Sequence, residues 1–241
     1  MLTAAQTVKL TELLNRRLDG EPIAYITGNK EFWSLELTVG PGVLVPRPDT
    51  ELLVEIALSL HPKLPAGCII ELGTGSGAVA LALAQEIKNQ TIIAIERNAP
   101  ALHVAAQNIR DFGMERVRLI QASWLDALQS DSAAMIVSNP PYLATDDEHL
   151  PSLKYEPHNA LVSGYTGLED LEAIIKQSCR VCKPGGVVLL EHGYQQGHDV
   201  RSLLSSYNYH SIQTDHDLAG HERVSYGYFG LASQLKASTA E

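Results

Sequence analysis

The sequence contains little cysteine. Three of its 241 residues are cysteines, so they cannot all be paired within one chain. Cys179 and Cys182 form one CxxC motif, but no second motif and no histidine at zinc-ligand spacing accompany it. We therefore expect all three cysteines, including Cys68, to be free thiols in a reducing cytoplasm.

Long apolar runs and positive charge are also scarce. No run approaches the roughly 18 apolar residues of a membrane span, and the N-terminus has no signal-peptide core. The 28 acidic and 18 basic residues give a formal net charge of −10, which disfavours tight nonspecific binding to nucleic acid. We expect a cytoplasmic monomer without a membrane or direct nucleic-acid partner. The histidines lack metal-ligand spacing, so no metal is expected.

The N-terminal residues predict a small appendage. Apolar residues recur at helical spacing over Ala4 to Leu18, and Pro22 to Leu44 alternates apolar and polar residues, as in a β-hairpin. A stiff loop follows, in which Asp49 is placed to cap a helix over Thr50 to Leu60. We divide the chain into this appendage, residues 1–44, a main domain, residues 45–231, and a flexible tail, residues 232–241.

From Cys68 onward, short apolar runs alternate with segments of helical periodicity. Strands are predicted at Cys68–Leu72, Ile92–Glu96, Val117–Gln121, Ala134–Ser138, Val187–Glu191, His210–Thr214 and Val224–Phe229. Helices are predicted at Gly77–Ile87, Pro100–Phe112, Leu168–Val181 and Gln196–Tyr207. These units indicate an α/β fold with a mostly parallel, seven-stranded sheet, helices on both faces and an antiparallel strand from the last hairpin.

A glycine-rich stretch, Gly73-Thr74-Gly75-Ser76-Gly77, joins the first of these strands to its helix. The pattern is GxGxG and not the GxGxxG of dinucleotide sites, so a pyrophosphate clamp is disfavoured. Glu96 ends the next strand, where a carboxylate can accept hydrogen bonds from both hydroxyls of a ribose. Structural glycines and a solvated strand end are the alternatives, but together the two features favour S-adenosylmethionine. Trp124, after the third strand, lies beside the adenine or is a core or rim aromatic residue.

The fourth strand ends in Asn139-Pro140-Pro141-Tyr142. Two prolines stop the strand and form a stiff turn at the edge of the sheet where ligands bind. The Asn139 side-chain oxygen and the Pro140 carbonyl can accept both hydrogens of a planar –NH2 group and leave its nitrogen lone pair free. Tyr142 can pack against that group. An ordinary turn before prolines is the alternative.

These motifs resemble those of the HemK/PrmC family, the protein-(glutamine-N5) methyltransferases of peptide chain release factors. The resemblance runs from about Glu21 to Phe229. Its most specific segments are Val45-Pro46-Arg47-Pro48-Asp49-Thr50-Glu51, Tyr155-Glu156-Pro157 and His221-Glu222-Arg223. The Asn-Pro-Pro-Tyr motif alone is shared with DNA adenine and RNA guanine N-methyltransferases.

The resemblance implies a Rossmann-like class I methyltransferase. The enzyme would transfer a methyl group from S-adenosylmethionine to the side-chain amide nitrogen of the glutamine in the Gly-Gly-Gln motif of class 1 release factors. By resemblance, Gly73 to Gly77, Glu96, Trp124 and Asn139 bind the cofactor. Asn139, Pro140, Pro141 and Tyr142 hold the glutamine, and Asn139, Pro140 and Tyr142 are the catalytic residues.

The sequence departs from the family pattern in a few places. Glu71, Asp49 and Glu96 replace other acidic residues and keep the carboxylate. Of the N-terminal helical bundle that helps to dock the release factor, only the last helix is expected here, so recognition of the full release factor is expected to be weaker. Arg47 has either a substrate role or a structural ion pair, for which Glu156 is the candidate partner.

Two rival functions remain open at this stage. One is a nucleic-acid amino methyltransferase with the same Asn139 turn, which the acidic charge and the lack of a recognition domain disfavour. The other is a non-catalytic, cofactor-binding partner of the release machinery, which the intact Asn139-Pro140-Pro141-Tyr142 motif disfavours.

Overall fold

The structure, a computed structural model, describes residues 2–230 of the chain. The predicted flexible tail, residues 232–241, therefore lies outside the described residues. Helix α1 (Ala4–Leu18) begins at Thr3, whose side chain accepts a hydrogen bond from the Gln6 amide while the Gln6 side chain accepts one from the Thr3 amide. No residue of α1 is buried, and Leu10, Leu14 and Leu18 are exposed on its surface.

The predicted hairpin over Pro22 to Leu44 is only partly correct. Helix α2 (Ile23–Thr27) occupies its first residues and ends at Gly28, whose φ is +84°. The hairpin itself is narrower and consists of β1 (Asn29–Phe32) and β2 (Leu35–Thr38), which pair antiparallel. Buried side chains of α2 and of both strands belong to the same apolar cluster as the following helices. The division of the chain at residue 44 stays a prediction.

The hairpin turn uses Trp33 and Ser34, both with positive φ, and not the glycines that flank the strands. Two consecutive positive φ angles give the turn twist that suits a two-residue hairpin, although Trp and Ser adopt them at some cost. Tertiary contacts compensate, because the Trp33 amide donates to Glu51 Oε1 and the Trp33 indole donates to Glu86 Oε1, each at 3.0 Å.

Helix α3 (Glu51–Leu60) does not have the predicted Asp49 cap. A short 3₁₀ turn, Pro48–Thr50, leads directly into the helix, and no side chain caps its N-terminus. The continuous turn supplies backbone partners where a cap would act, so Asp49 is free to face Arg223, with 3.8 Å between the two charged groups.

The main sheet contains seven strands in the order β5-β4-β3-β6-β7-β9-β8. Their bounds are β3 (Cys68–Leu72), β4 (Ile92–Glu96), β5 (Val117–Gln121), β6 (Ala133–Ser138), β7 (Cys182–Glu191), β8 (Tyr209–His216) and β9 (Glu222–Phe229). Strands β3 to β7 are parallel, while β9 runs antiparallel to both β7 and β8. The predicted seven-stranded, mostly parallel sheet is therefore confirmed. β7 begins earlier than predicted, because the sheet register shifts between Cys182 and Val187 and accommodates the intervening Pro-Gly-Gly.

Helices cover both faces of this sheet. α4 (Ala78–Glu86), α5 (Ala99–Asp111) and α3 pack with one buried cluster, which includes Ile69. α6 (Glu169–Val181) and α7 (Gly197–Ser206) pack with a second cluster, which includes the neighbouring residue Ile70. Successive strand residues point to opposite faces, so β3 contributes to both cores. Each fully buried aliphatic side chain contributes about 1.5–3 kcal/mol, and this burial fixes the strand ends relative to one another.

The strand order changes direction at β3. The chain proceeds outward from β3 to β4 and β5, then returns to place β6 on the other side of β3. The carboxyl ends of β3 and β6 are therefore adjacent, and such a switch point is the usual ligand site of an open α/β sheet. No helix within residues 2–230 combines the length and the apolar content of a membrane span.

Candidate active site

The glycine-rich loop after β3 is folded tightly against the end of β4. Gly73, Gly75 and Gly77 have φ angles of +69°, +55° and +86°, a region that other residues enter only at a cost. The backbone amides of Gly73 and Thr74 both donate to the Ile95 carbonyl, at 2.9 and 3.1 Å. Thr74 and Ser76, the two loop residues with side chains, are buried. Of the loop, Gly73 and Gly75 border the space above the strand ends, so a ligand there would meet backbone at these two residues.

Glu96 is buried and holds the same loop in place. Its Oε2 accepts a hydrogen bond from the Gly75 amide at 3.0 Å, and its Oε1 accepts one from the Asn98 amide at 2.8 Å. Each carboxylate oxygen has a further lone pair available. The residue therefore has a structural role and can still accept hydroxyl groups of a ligand.

These elements line a pocket of about 600 Å³, mouth included, which we call the glycine-loop pocket. Gly73, Gly75, Glu96, Trp124 and Asn139 contribute to its wall, whereas Thr74, Ser76 and Gly77 of the same loop do not. An acidic group at one strand end and a glycine cradle at the next fit an adenosine-containing ligand.

Trp124 lies on the rim of this pocket and is half-buried, with a φ of +42°. The Arg97 guanidinium lies 5.8 Å from the centre of its ring and also donates to the Asn159 carbonyl at 3.3 Å. The rim position fits both sequence interpretations of Trp124. Arg97 was not predicted, and its position directly after Glu96 is the only signal in the sequence.

Asn139 follows β6 at the edge of the glycine loop. Its Nδ2 donates to Thr50 Oγ1 at 3.0 Å, and its Oδ1 makes no hydrogen bond within residues 2–230. The preceding Ser138 hydroxyl donates to the Leu72 carbonyl at 2.9 Å, which ties the ends of β6 and β3 together. Pro140 and Pro141 are buried, so the turn is held on both sides.

The Asn139 turn also borders a second, more open pocket of about 1510 Å³ on the same measure, which we call the proline-turn pocket. Pro140, Tyr142 and Arg47 line it, while Pro141 lines the glycine-loop pocket instead. Asn139 lines both pockets, together with Leu44 and Ala160. The two spaces therefore meet at the Asn139 side chain.

Tyr142 is held by a residue that the sequence interpretation missed. The Gln196 side chain donates to the Tyr142 carbonyl at 3.0 Å. A Cβ atom on Gly167, whose φ is +78°, would lie 2.4 Å from the same carbonyl oxygen. Burial raises the pKa of the Tyr142 hydroxyl, so this group stays protonated at neutral pH.

Arg47 and Glu156 form the ion pair suggested as one alternative by the sequence. Arg47 donates to Glu156 Oε1 at 2.5 Å, and Glu156 Oε2 accepts from the Val45 amide at 3.0 Å. The Glu156 carboxylate is buried, while the Arg47 side chain is 37% exposed and faces the proline-turn pocket. The ion pair does not exclude a substrate role, because the guanidinium retains donors that the carboxylate does not use.

Two buried acidic groups lie beneath the site. Burial raises the pKa of the Glu71 carboxyl, at the end of β3, to about 8, and the charge of Glu96 adds to the effect. Burial raises the pKa of the Glu191 carboxyl, at the end of β7, to about 7, although Thr50 and Arg223 oppose the rise. In each residue, Oε2 has no hydrogen-bond partner among residues 2–230. Within residues 2–230, no three His, Cys, Asp or Glu residues form a possible metal site.

Comparison with known proteins is consistent with this arrangement. A model described as "Methyltransferase domain" matches residues 65–226, and a model described as "PrmC N-terminal domain" matches residues 1–28. Among solved structures, a methyltransferase from Pyrococcus furiosus has a TM-score of 0.59 at 21% identity and covers 92% of this chain and 100% of its own. A ribosomal protein L11 methylase from Lactobacillus delbrueckii subsp. bulgaricus has a TM-score of 0.57 at 16% identity, with 76% and 81% covered.

The strand order, the domain match and the pocket at the switch point define a class I methyltransferase that uses S-adenosylmethionine. Sequence relatives are more specific. The release factor glutamine methyltransferase of Escherichia coli (strain K12) is 46% identical over 230 residues, which cover 95% of this chain and 83% of the relative. The protein of the same name from Coxiella burnetii is 44% identical over 223 residues, with 92% and 80% covered. The chain therefore belongs to the release factor glutamine methyltransferase family.

Proposed function

We propose that the protein methylates the side-chain amide nitrogen of the glutamine in the Gly-Gly-Gln motif of class 1 release factors. The observation that carries the proposal is the junction of the two pockets at Asn139. Of the three residues that line both pockets, Asn139 has the only polar side chain, so a group held in the proline-turn pocket would meet a hydrogen-bonding side chain there. The release factor is the partner, and the named relatives support this choice.

S-adenosylmethionine, when bound, supplies an electrophilic methyl group. In our proposal the backbone of Gly73 to Gly77 borders this cofactor, and Glu96 accepts hydrogen bonds from its ribose hydroxyls. Trp124 covers the edge of the adenine. Two observations support these roles: the loop glycines have positive φ angles, and the buried Glu96 carboxylate accepts two backbone hydrogen bonds.

On the acceptor side, Asn139 Oδ1 and the Pro140 carbonyl oxygen each accept a hydrogen bond from one N–H group of the glutamine amide. Tyr142 packs against the planar amide, and Pro141 stiffens the turn. This orientation directs the nitrogen lone pair toward the glycine-loop pocket. The two hydrogen bonds strengthen as positive charge develops on the nitrogen, so they stabilise the transition state more than the ground state. The proton leaves after transfer, so no strong base is needed.

The test is the intact mass of a class 1 release factor after incubation with the protein and S-adenosylmethionine. We expect a gain of one methyl group that disappears when the glutamine of Gly-Gly-Gln is replaced. It should also disappear with an Asn139→Ala enzyme. Asn89→Ala is the matched control, since Asn89 is exposed in the turn between α4 and β4 at the opposite edge of the sheet.

DNA and RNA are incubated in parallel. Methylation of a nucleic acid, with the release factor unmodified, would replace the proposal by an amino methyltransferase of nucleic acid. Binding of the cofactor without transfer to any of these substrates would favour the non-catalytic alternative.

A further inference from the structure

The orientation of the Asn139 side chain is the condition on which the proposed function rests. The oxygen and nitrogen of an asparagine amide have nearly the same shape but opposite hydrogen-bonding character. If the amide were reversed, Nδ2 would face the –NH2 group of the substrate, and two donors would oppose each other. Some group must therefore fix which end of the amide faces the pocket.

Thr50 is the direct partner of Asn139. Its hydroxyl oxygen accepts from Asn139 Nδ2 at 3.0 Å, and the residue is only 5% exposed. A hydroxyl can donate as well as accept, so Thr50 alone would tolerate either orientation of the amide. The orientation is determined only if the hydroxyl hydrogen is engaged elsewhere.

Glu191 is placed to engage it. Ser138 of β6 pairs with Leu190 of β7. The residues that follow them, Asn139 and Glu191, are therefore neighbours at the carboxyl ends of these strands. Glu191 is 1% exposed, and its Oε2 has no hydrogen-bond partner in the described part of the chain. Burial raises the pKa of this carboxyl, and the nearby Thr50 side chain opposes the rise. In its charged form the Glu191 carboxylate can only accept, so a Thr50 hydroxyl that donates to it keeps its lone pairs for Asn139.

We infer that Thr50, with its hydroxyl directed to Glu191, is a positioning residue that fixes the Asn139 amide with Oδ1 facing the substrate. The chain of donors runs from Asn139 to Thr50 to Glu191. It connects three segments that are far apart in sequence, the loop before α3 and the ends of β6 and β7.

Two matched pairs of variants test the inference. Thr50→Val replaces the hydroxyl by a methyl group of similar size, and wild type is its reference. Thr50→Ser and Thr50→Ala differ from each other only in the hydroxyl, so this pair remains informative if the valine variant fails to fold. Thr27→Val is the control, because the Thr27 hydroxyl bonds only to backbone carbonyls near its own helix.

The readouts are the turnover number on the release factor, the dissociation constant for S-adenosylmethionine and the melting temperature. We expect Thr50→Val and Thr50→Ala to lower turnover by about 10- to 100-fold. Thr50→Ser should stay within about threefold of wild type. Cofactor affinity should be unchanged in all of them. Equal turnover of the serine and alanine variants, with intact cofactor binding, would overturn the inference. If wild type itself does not methylate the release factor, the proposed function fails instead.

Discussion

The glycine-loop pocket and the proline-turn pocket are assembled in different ways. The first is built mainly from turns that follow three neighbouring strands, β3, β4 and β5, within about fifty residues of chain. The second combines Arg47, the Asn139 turn, Gln196 and Arg223, which come from four separate parts of the sequence. A cofactor site made by local turns can be retained while distant segments adapt the other pocket to a particular acceptor. If so, changes in one pocket should leave the other pocket's function intact.

Gly167→Ala should give the largest effect and should break only the proline-turn pocket. The new Cβ would lie 2.4 Å from the Tyr142 carbonyl oxygen, so the Tyr142 backbone must shift. A displacement of about 1 Å in a substrate-positioning group lowers turnover by about 100-fold. Steady-state turnover and cofactor binding by calorimetry measure the two effects separately, and cofactor affinity should stay within about twofold.

Gly113→Ala is the matched control for that change. Gly113 also has a positive φ, +60°, but no atom lies within 4 Å of its added Cβ. It therefore introduces the same backbone strain without the collision and should keep full turnover. A parallel loss of cofactor affinity in Gly167→Ala would show that the two pockets are not independent.

Glu71→Gln, at the end of β3 directly before the glycine loop, should change how the stability of the protein depends on pH. Burial raises the pKa of Glu71 to about 8 in the folded state, above its ordinary value. The unfolded chain therefore releases this proton first, and stability is lost as pH rises from about 5 to 8. The loss should be about 2–4 kcal/mol, and the variant should not show it.

Chemical denaturation of both proteins at pH 5 and pH 8 measures this difference. The unfolding free energy of the variant minus that of wild type should increase as pH rises. Glu55→Gln, at an exposed position of α3, is the control and should leave the pH dependence unchanged. A gap that is constant with pH would contradict the raised pKa of Glu71.

The difference between the pockets also explains what the sequence could predict. The bounds of β3, β4 and β5 match the prediction, and Gly73, Gly75, Glu96 and Trp124 line one pocket. These features are local, because each depends on a strand and the turn directly after it. Asn139 was found for the same reason, since two prolines end its strand.

Where a feature depends on contacts between distant residues, the sequence analysis missed it or predicted it wrongly. The hairpin turn at Trp33 and Ser34 relies on Glu51 and Glu86, which no local propensity could indicate. Asp49 is a residue type that often caps helices, but here it lies inside the 3₁₀ turn and does not cap α3. Thr50 lies within a segment that carries the family resemblance and Glu191 ends a predicted strand, yet only the folded sheet brings them next to Asn139.

Glu96→Gln should weaken the glycine-loop pocket and leave the proline-turn pocket intact. A glutamine can still accept one of the two backbone hydrogen bonds, from Gly75 or Asn98, but its amide nitrogen cannot accept the other. We expect the dissociation constant of S-adenosylmethionine to rise about 10- to 30-fold. Turnover at saturating cofactor should change by less than about threefold. Glu36→Gln, at an exposed position of β2, is the control. A large loss of turnover at saturation would assign Glu96 a role in the chemical step.

Arg47→Ala gives the smallest expected effect and decides between the two interpretations of this residue. If Arg47 contacts the release factor, the KM of the variant for the release factor should rise about fivefold, while turnover and cofactor affinity stay constant. The Arg47→Lys enzyme should recover part of the loss, because lysine keeps the charge but not the planar donors. If the residue serves only its ion pair with Glu156, the melting temperature should fall while KM stays unchanged, since the Glu156 carboxylate is then buried without its partner. Measuring KM and melting temperature on the same preparations separates these outcomes. A raised KM would make Arg47 part of the proline-turn pocket's specificity, and an unchanged KM would limit it to holding the loop before α3.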